Sequence, residues 1–281
     1  MTVLEAIQKS GEFLEKRGVD SPRLQAELLL AHVLKLPRMK LYLNFERALT
    51  EPETNALREF VKRRGTREPL QHIVGSTSFC GLELAVNRHV LVPRPETELL
   101  AEMGWEFLAT RPEPTALDFG TGSGCIAIAL AARCRHARVT ALDISPDALQ
   151  MAQRNAQSIG MAERIDFRHG DGFSALSGAV SFDLIISNPP YIPDPEIATL
   201  QPEVKDFDPH TALAGGLDGL DFYRQLAAKA ADFLKQNGRL MVEFGDGQAA
   251  DLKKIFEGQM WIVESVRDDY SQRQRILIAR R

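Results

Sequence analysis

The chain has 281 residues, of which 44% are hydrophobic, and a net charge of −4, so it can bury a sizeable core in one large domain or two ordinary ones. It contains no run of about 18 or more uncharged apolar residues, and its opening residues have helical periodicity with charges throughout, so we expect a soluble, cytoplasmic protein rather than a membrane or exported one. Its three cysteines form no C-x-x-C pair and its six histidines have no metal-ligand spacing, which predicts neither a disulfide framework nor a metal site.

Residues 1–68 have the periodicity and the capping residues of helices. Ser21 followed by Pro22 predicts a helix start, with serine at the N-cap and proline at the first helical position. Thr50 and Glu53 have the spacing of a capping box. The region carries no convergent set of catalytic groups, so we predict a small all-helical domain whose task is contact with another molecule.

Basic residues are concentrated in this N-terminal region, which carries 13 Lys and Arg against 10 Asp and Glu, whereas the remainder carries 21 against 28. An acidic main body argues against a tight grip on a phosphate backbone. The basic cluster at 62–67 has a simpler explanation than a nucleic-acid patch, because cations are favoured at the C-terminal end of a helix. We therefore expect no stable binding of nucleic acid.

Residues 69–92 form short β-like runs separated by glycine, which predicts a linker and a β-hairpin. Residues 93–281 then alternate strand patterns with helix patterns. Such alternation predicts an α/β, Rossmann-like domain, in which a parallel sheet has helices on both faces and a ligand crevice at the carboxyl ends of its strands. The last two strand-like segments, WIVESVRD and RILIAR, predict a terminal hairpin.

A glycine-rich segment joins the first predicted strand of this domain to an apolar helix. Gly120, Gly122 and Gly124 allow the backbone to turn tightly and to approach a ligand closely, while the helix N-terminus offers unpaired N–H groups. The spacing is G-x-G-x-G rather than the G-x-G-x-x-G of dinucleotide-binding proteins. This difference, with the lack of a hydride-relay group, disfavours a nicotinamide oxidoreductase.

Polar residues follow the next three predicted strands as well. Asp143 ends the second strand, where a carboxylate can accept hydrogen bonds from both hydroxyls of a ribose; alternatively it is a charge at the start of the helix after Ser145. Asp171 closes the third strand at the level of an adenine ring, unless it is an ordinary turn aspartate. With Asn188 after the fourth strand, four strand ends bring polar groups to one crevice, which predicts a nucleoside-binding site.

The segment Asn188-Pro189-Pro190-Tyr191 is a stiff loop, because its prolines can neither continue a ladder nor begin a helix. A planar amide or aromatic NH₂ group is a poor nucleophile, since its lone pair is delocalised. The side-chain oxygen of Asn188 and the carbonyl of Pro189 can hold both of its N–H bonds, and Tyr191 can lie flat against it. Alignment with a sulfonium methyl makes the reaction effectively unimolecular, so the loop predicts N-methylation without a protein nucleophile or a metal.

Together with three further stretches, these motifs resemble the peptide-chain release factor glutamine methyltransferases, the HemK family of class I S-adenosylmethionine-dependent methyltransferases, along essentially the whole chain. The three stretches are 69–75, 92–98 and 215–224. The resemblance implies methylation of the side-chain amide of the glutamine in the Gly-Gly-Gln motif of class I release factors, which modulates translation termination. It also implies a substrate-docking domain at 1–68, a linker and hairpin at 69–92, and a catalytic domain at 93–281.

The resemblance also assigns the site residues. Those implied to bind the cofactor S-adenosylmethionine are Gly120, Thr121, Gly122, Ser123, Gly124, Asp143, Asp171, Gly172 and Asn188. Those implied to bind the substrate glutamine are Asn188, Pro189, Pro190 and Tyr191, with catalytic roles for Asn188, Pro189 and Tyr191. Residues 93–98 would form a wall of the site near the methionyl end of the cofactor, or else begin a helix with Thr97 and Glu98 in its first turn. Some relatives carry a bulky aromatic residue where this chain has Gly172, followed by Phe173.

Three other functions remain open at this point. Ribosomal-protein glutamine methyltransferases share Asn-Pro-Pro-Tyr but tend to differ at 93–98. A nucleic-acid base methyltransferase is disfavoured by the acidic catalytic domain, the lack of a target-recognition segment and the lack of an aromatic and basic track for a flipped base. The N-terminal bundle could also act mainly as a binding module.

Overall fold

A computed structural model describes residues 1–176 and 180–281, and these residues form two compact units. The helical unit comprises Met1–Ser76 and Gln201–Phe207, and the sheet unit comprises Thr77–Leu200 and Asp208–Arg281. Each unit buries apolar side chains of its own. The hydrophobic content of the chain therefore supports a separate core in each unit rather than one shared core.

The helical unit is built from amphipathic helices whose apolar faces meet in one core. Its first five helices are α1 (Val3–Lys16), α2 (Pro22–Leu34), α3 (Arg38–Leu41), α4 (Glu51–Gly65) and α5 (Leu70–Val74). Leu14, Leu29 and Leu41 are fully buried in this core. The all-helical N-terminal region predicted from periodicity is thus confirmed.

The two predicted helix starts had different outcomes. Thr50 and Glu53 form the predicted capping box: the Thr50 hydroxyl accepts from the Glu53 N–H at 3.4 Å and the Glu53 carboxylate accepts from the Thr50 N–H at 2.9 Å. Helix α2 begins at Pro22, and Ser21 occupies its N-cap position, both as predicted. The capping hydrogen bond expected from the Ser21 side chain is not formed, and the Ser21 backbone is left-handed with φ of 50°.

The basic cluster lies in and just after the last turn of α4, as its helix-end explanation predicts. Arg63 pairs with Glu68 at 2.5 Å. Arg64 and Arg67 both pair with Glu203, at 2.8 and 2.6 Å. These arginines are therefore neutralised by carboxylates within the helical unit rather than presented together to a phosphate backbone.

The predicted β-like linker is wrong at residues 70–74, which form helix α5 and bury Ile73 in the core of the helical unit. The helical unit therefore extends to Ser76 rather than ending at residue 68. The predicted hairpin is formed by β1 (Ser76–Phe79) and β2 (Leu82–Ala85). Cys80 and Gly81 make its turn with positive φ angles of 51° and 75°. The Asn155 side chain ties the hairpin to the rest of the sheet unit, because it accepts from the Ala85 N–H at 2.8 Å and donates to the Ala85 carbonyl at 3.0 Å.

The rest of the chain alternates strands and helices. In chain order the elements are α6 (Pro95–Ala109), β3 (Thr115–Phe119), α7 (Cys125–Arg133), β4 (Arg138–Asp143), α8 (Pro146–Ile159), β5 (Ile165–His169), β6 (Phe182–Ser187), α9 (Asp194–Ile197), α10 (Pro202–Lys205, in the helical unit), α11 (Asp221–Lys229), β7 (Leu234–Glu243), α12 (Ala249–Gly258), β8 (Ile262–Asp268) and β9 (Gln274–Arg280). Within the described ranges, no helix is long and apolar enough to cross a membrane.

Strands β3 to β9 form one sheet in the order β5-β4-β3-β6-β7-β9-β8. The first five strands of this order are parallel, and β9 runs antiparallel to both β7 and β8. The Rossmann-like α/β class is confirmed. The predicted terminal hairpin exists and extends the sheet, which makes the sheet mixed rather than parallel throughout.

The centre of the sheet is buried on both faces. All six residues of β6 are buried, as expected of a parallel strand covered by helices. Leu184 and Ile186 join one apolar cluster and Ile185 joins the other, because successive side chains leave a strand on opposite faces. The parallel strands also end at one edge, so the loops that follow β3, β4, β5 and β6 lie close together.

Candidate active site

A cavity lies at this carboxyl edge of the sheet. It is lined by most of the residues predicted to bind the cofactor, namely Gly120, Thr121, Gly122, Ser123, Asp143, Asp171, Gly172 and Asn188. Apolar side chains such as Phe119 and Leu142 complete its wall. The structure therefore brings the predicted strand-end residues together around one space.

The loop after β3 presents bare backbone to this space. Gly120 and Gly122 have φ angles of 77° and 54°, a region that favours glycine. A Cβ atom added to either residue would meet no other atom within 4 Å. The absence of side chains at these two positions thus leaves room for a ligand to approach the main chain.

Gly124 is a predicted cofactor residue that does not line the cavity. It precedes α7 with φ of 82°, and a Cβ atom there would lie 2.9 Å from the Cβ of Ala152 in α8. The third glycine of the loop is therefore explained by close packing between the start of α7 and α8.

Asp118 holds the loop in place from inside the protein. Its carboxylate accepts from the Thr121 hydroxyl at 2.6 Å and from the Ala127 N–H at 3.0 Å. Burial raises the pKa of Asp118 to about 7. The residue is completely buried, so it anchors the loop and the start of α7 without reaching the cavity.

Asp143 connects the ends of β3 and β4. One carboxylate oxygen accepts from the Gly122 N–H at 2.8 Å and the other from the Ser145 N–H at 2.9 Å. Burial raises the pKa of this group. Because each carboxylate oxygen can accept more than one hydrogen bond, Asp143 retains capacity for a pair of hydroxyl groups. Both interpretations of Asp143 are compatible: it lines the cavity and it orders the start of α8.

The segment after β5 contains Gly172, where some relatives have a bulky aromatic residue, and Phe173. Gly172 has φ of 60°, and a Cβ atom there would lie 2.6 Å from Nε2 of Gln225 on α11. Phe173 is buried, with its ring 4.8 Å from the Phe119 ring and 4.9 Å from the Phe233 ring. The aromatic residue beside Gly172 therefore belongs to the core, and Gln225 occupies the neighbouring part of the cavity wall.

Asn188 directly follows β6 and is bonded to the buried side chain of Thr97, which is itself bonded to the buried Glu243. Its Nδ2 atom donates to the Thr97 hydroxyl at 3.0 Å, and that hydroxyl donates to Glu243 Oε2 at 2.7 Å. No described residue donates to Asn188 Oδ1. The amide is thus bonded through its nitrogen, and its oxygen retains its acceptor capacity.

The rest of the Asn-Pro-Pro-Tyr loop is braced by a glycine-rich segment further along the chain. A Cβ atom at Gly215 would lie 2.9 Å from the Tyr191 Cα, and one at Gly219 would lie 2.4 Å from the Tyr191 carbonyl oxygen. Gln248 donates to that carbonyl at 2.9 Å. Glycine at 215 and 219, within the 215–224 stretch, is therefore explained by the close approach of these two residues to the loop.

The four loop residues have different positions relative to the cavity. Asn188 and Pro190 line it, whereas Pro189 and Tyr191 do not. No hydrogen bond from the described residues reaches the Pro189 carbonyl. Burial raises the pKa of Tyr191 to about 12, so its phenol is neutral near pH 7.

Several wall residues escaped the sequence reasoning. They include Val90 and Leu91 after the hairpin, Thr211, Phe222 and Gln225. Glu243 was also missed, and its only signal was a carboxylate at the end of an apolar strand. Among residues 1–176 and 180–281, no group of three or more His, Cys, Asp or Glu side chains is placed to hold a metal ion.

Comparison with known proteins identifies relatives along almost the whole chain. A family profile described as "PrmC N-terminal domain" matches residues 5–75, and one described as "Methyltransferase small domain" matches residues 97–200. A release factor glutamine methyltransferase of Geobacter sulfurreducens is 45% identical over 91% of this chain and 88% of its own length. One of Chlorobaculum tepidum is 43% identical over 98% of this chain and 95% of its own length.

The solved structures agree at the level of the fold. A methyltransferase from Pyrococcus furiosus superimposes with a TM-score of 0.52 at 20% identity, over 72% of this chain and 90% of its own. The sequence identities above, over nearly complete lengths, settle the family more finely than the fold does. The chain belongs to the release factor glutamine methyltransferase family.

Proposed function

We propose that this protein transfers a methyl group from S-adenosylmethionine to the side-chain amide nitrogen of the glutamine in the Gly-Gly-Gln motif of class I release factors. The observation that carries the proposal is the position of Asn188: an amide oxygen without a protein donor, on the wall of a cavity that also contains the glycine loop and Asp143. A planar NH₂ group is also found on nucleic-acid bases and on other glutamines. The sequence identity to release factor glutamine methyltransferases supports the release factor glutamine as the substrate.

The residues around the cavity fit S-adenosylmethionine. The open space beside Gly120 and Gly122 can admit a ligand against their backbone. Asp143 can accept hydrogen bonds from the two ribose hydroxyls, and Phe119 and Leu142 supply apolar wall for the adenine. We assign cofactor binding to the predicted residues that line the cavity. For Gly124 we propose only a supporting role.

The protein's part in the chemistry is to position the glutamine amide. When bound, S-adenosylmethionine supplies an electrophilic methyl group. Asn188 Oδ1 and the Pro189 carbonyl hold the two amide N–H bonds, and Tyr191 supports the loop from behind. The glutamine nitrogen gains a methyl group and loses one of its two protons. Fixing the nitrogen in line with the methyl group removes rotational and translational freedom before the reaction, the largest advantage that positioning offers.

We infer a division of labour along the chain. The helical unit, which includes residues 1–68, docks the release factor, and the hairpin at 76–85 follows it. Residues 93–281, apart from 201–207, carry the methyl transfer. The partner is therefore a protein in the translation machinery, and the enzyme works in the cytoplasm. The acidic main body and the paired arginines of the helical unit agree with a protein partner rather than with stable nucleic-acid binding.

The proposal is tested by offering the purified protein labelled S-adenosylmethionine together with one acceptor at a time. The acceptors are a class I release factor, the same factor with its motif glutamine replaced by alanine, a ribosomal protein, DNA and RNA. We expect label only on the unchanged release factor, at the motif glutamine, located by peptide mass spectrometry. Label on the ribosomal protein or on nucleic acid instead would overturn the substrate assignment.

A further inference from the structure

Two buried residues, Thr97 and Glu243, are connected to Asn188 by a continuous series of two hydrogen bonds. Thr97 is in the first turn of α6 and Glu243 is the last residue of β7. Each is only 2% exposed. The series runs from Asn188 Nδ2 to the Thr97 hydroxyl at 3.0 Å and from that hydroxyl to Glu243 Oε2 at 2.7 Å.

The chemistry of the three groups gives the series a direction. An ionised carboxylate can only accept hydrogen bonds, and a threonine hydroxyl has one proton to donate. If Glu243 is ionised, that proton is committed to it, and the Thr97 oxygen can then only accept from Asn188. The amide of Asn188 must therefore turn its NH₂ group towards Thr97, which leaves Oδ1 for the other side.

The opposite orientation of Asn188 is disfavoured by the same geometry. A flipped amide would place its carbonyl oxygen against the Thr97 oxygen at hydrogen-bond distance with no proton between them. Two acceptors facing each other in a buried site leave both without a donor. The flipped amide would also direct NH₂ at the substrate nitrogen, where an acceptor is needed.

We infer that Thr97 and Glu243 are positioning residues, which fix the orientation of the Asn188 amide so that its oxygen meets the N–H of the substrate amide. The inference rests on the proposed function for its consequence in catalysis, but the orientation itself is a property of this chain alone. Thr97 also forms part of the cavity wall, whereas Glu243 does not, but the Thr97 hydroxyl is bonded to Asn188 and Glu243. Both residues act through Asn188.

Other charged and titratable groups also surround Glu243. Glu96 and Arg94 lie at the start of α6, Arg275 lies on β9, and Tyr191 and Tyr223 approach from the loop and from α11. The Tyr223 hydroxyl donates to the backbone carbonyl of Glu243 at 2.8 Å rather than to its carboxylate. The hydrogen bond that defines the direction of the series is therefore the one between Thr97 and Glu243.

The test compares two substitutions at one position. Thr97→Val keeps the branched shape and removes the hydroxyl, whereas Thr97→Ser keeps the hydroxyl. We expect Thr97→Val to lower kcat by roughly 10- to 100-fold, the scale of a small misplacement of a catalytic group, with S-adenosylmethionine affinity by calorimetry changed by less than about twofold. Thr97→Ser should recover most of the rate. Equal rates in Thr97→Val and the wild type, or equal losses in both variants, would overturn the inference.

A second readout does not depend on turnover. The side-chain NH₂ signals of Asn188 in a ¹⁵N-labelled sample report whether the nitrogen is hydrogen-bonded inside the protein. We expect slow hydrogen exchange in the wild type and in Thr97→Ser, and fast exchange in Thr97→Val with the same melting temperature to within a few degrees. Exchange that is unchanged in Thr97→Val would refute the orientation. A wild-type protein that protects this NH₂ but methylates no release factor would instead refute the proposed function alone.

Discussion

At the scale of single residues, the site separates groups that face the cavity from groups that hold them. Asn188 and Asp143 line the cavity, whereas Asp118 and Glu243 are buried carboxylates that bond to neighbouring side chains or backbone. The distinction matters because substitution in the first group should remove one interaction with a ligand. Substitution in the second should disturb the geometry of its neighbours.

Asn188→Ala should lower kcat by about 10²–10³-fold, the effect of losing one preorganised polar contact. Cofactor affinity should change little, because most of the predicted cofactor contacts lie on the glycine loop and Asp143. Steady-state kinetics with a whole release factor and calorimetry with S-adenosylhomocysteine separate the two quantities. Near-normal turnover would remove Asn188 from the catalytic role.

Asp143→Ala is the companion variant with the opposite signature. We expect weaker cofactor binding by about 1.5–3 kcal/mol, the range for hydrogen bonds to a charged group, measured in the same calorimetric experiment. The turnover of the saturated enzyme should fall less than in Asn188→Ala. A variant that binds cofactor as tightly as the wild type would show that Asp143 serves only the Gly122 and Ser145 N–H groups.

The pH dependence of kcat should contain a step from Glu243. Burial raises the pKa of its carboxyl to about 7, so the group is ionised above that pH and protonated below it. A protonated Glu243 can donate to Thr97, which frees the Thr97 proton and permits the flipped Asn188. We therefore expect kcat at saturating substrates to fall as pH falls through about 7, by up to about tenfold per pH unit.

Glu243→Gln supplies the control for this step. A glutamine has no proton to gain near neutral pH, so the step should vanish, and kcat should be lower than in the wild type at pH 8 because an amide can also donate to Thr97. Asp118 also has a pKa raised to about 7 by burial, and any step that persists in the variant would be assigned to it.

At the scale of elements, a helix or strand could be predicted from the sequence where residues close together in the chain determine it. The strands β3 and β6 are short and mostly apolar, each with one aspartate, and the Thr50–Glu53 box is a contact between near neighbours. A short window of sequence therefore contains the cause of each element. Ser21 occupies the predicted N-cap position, but its backbone is left-handed, with φ of 50°, and its side chain makes no capping hydrogen bond. The place of β9 between β7 and β8 could not be predicted either, since strand order depends on long-range packing.

The series behind Asn188 was beyond sequence reasoning for the same reason. Thr97 and Glu243 are 146 residues apart in the chain, and Thr97 and Asn188 are 91 apart. The predicted alternative for Thr97, a place in the first turn of a helix, is confirmed by α6. Pro93, Arg94 and Thr97 also line the cavity, so the two alternatives for residues 93–98 are compatible. Thr97 lies in the first turn of a helix and also bonds to Asn188. Only the folded chain could show the bond to Asn188.

The glycine loop makes a prediction about element packing. Gly124→Ala should destabilise the protein, because its φ of 82° is unfavourable for alanine and its Cβ would lie 2.9 Å from Ala152. Gly160→Ala is the matched control, with φ of 77° and no atom within 4 Å of an added Cβ. We expect about 1–2 kcal/mol from the backbone alone at Gly160, and about 1–3 kcal/mol more at Gly124 from overpacking between α7 and α8.

Denaturant unfolding of both variants measures the difference between these two substitutions. A larger loss of unfolding free energy in Gly124→Ala than in Gly160→Ala would support the packing role. Equal losses would mean that α7 and α8 accommodate the methyl group. In that case the third glycine of the loop would be required only for its backbone conformation.

At the scale of the whole molecule, the helical unit offers a surface whose chemistry suits a protein partner. A groove in this unit has an apolar floor that includes Phe13, Leu57 and Val61, and it is edged by Arg58 and Lys62. Apolar grooves with charged rims bind amphipathic segments of opposite charge. The proposed docking role of residues 1–68 can therefore be tested by changing the rim without touching the catalytic unit.

The double substitution Arg58→Glu and Lys62→Glu should raise KM for an intact release factor by roughly tenfold. An acidic rim would repel a partner segment whose charge is opposite to that of the natural basic rim, and this repulsion slows association. It should leave the kinetics of a short Gly-Gly-Gln peptide unchanged, because the peptide needs only the cavity of the sheet unit. Lys253→Glu with Lys254→Glu, on the exposed face of α12, makes the same change of charge away from the groove and should affect neither substrate. Equal losses with peptide and protein would indicate damage to the fold, and unchanged KM for the release factor would place docking elsewhere than this groove.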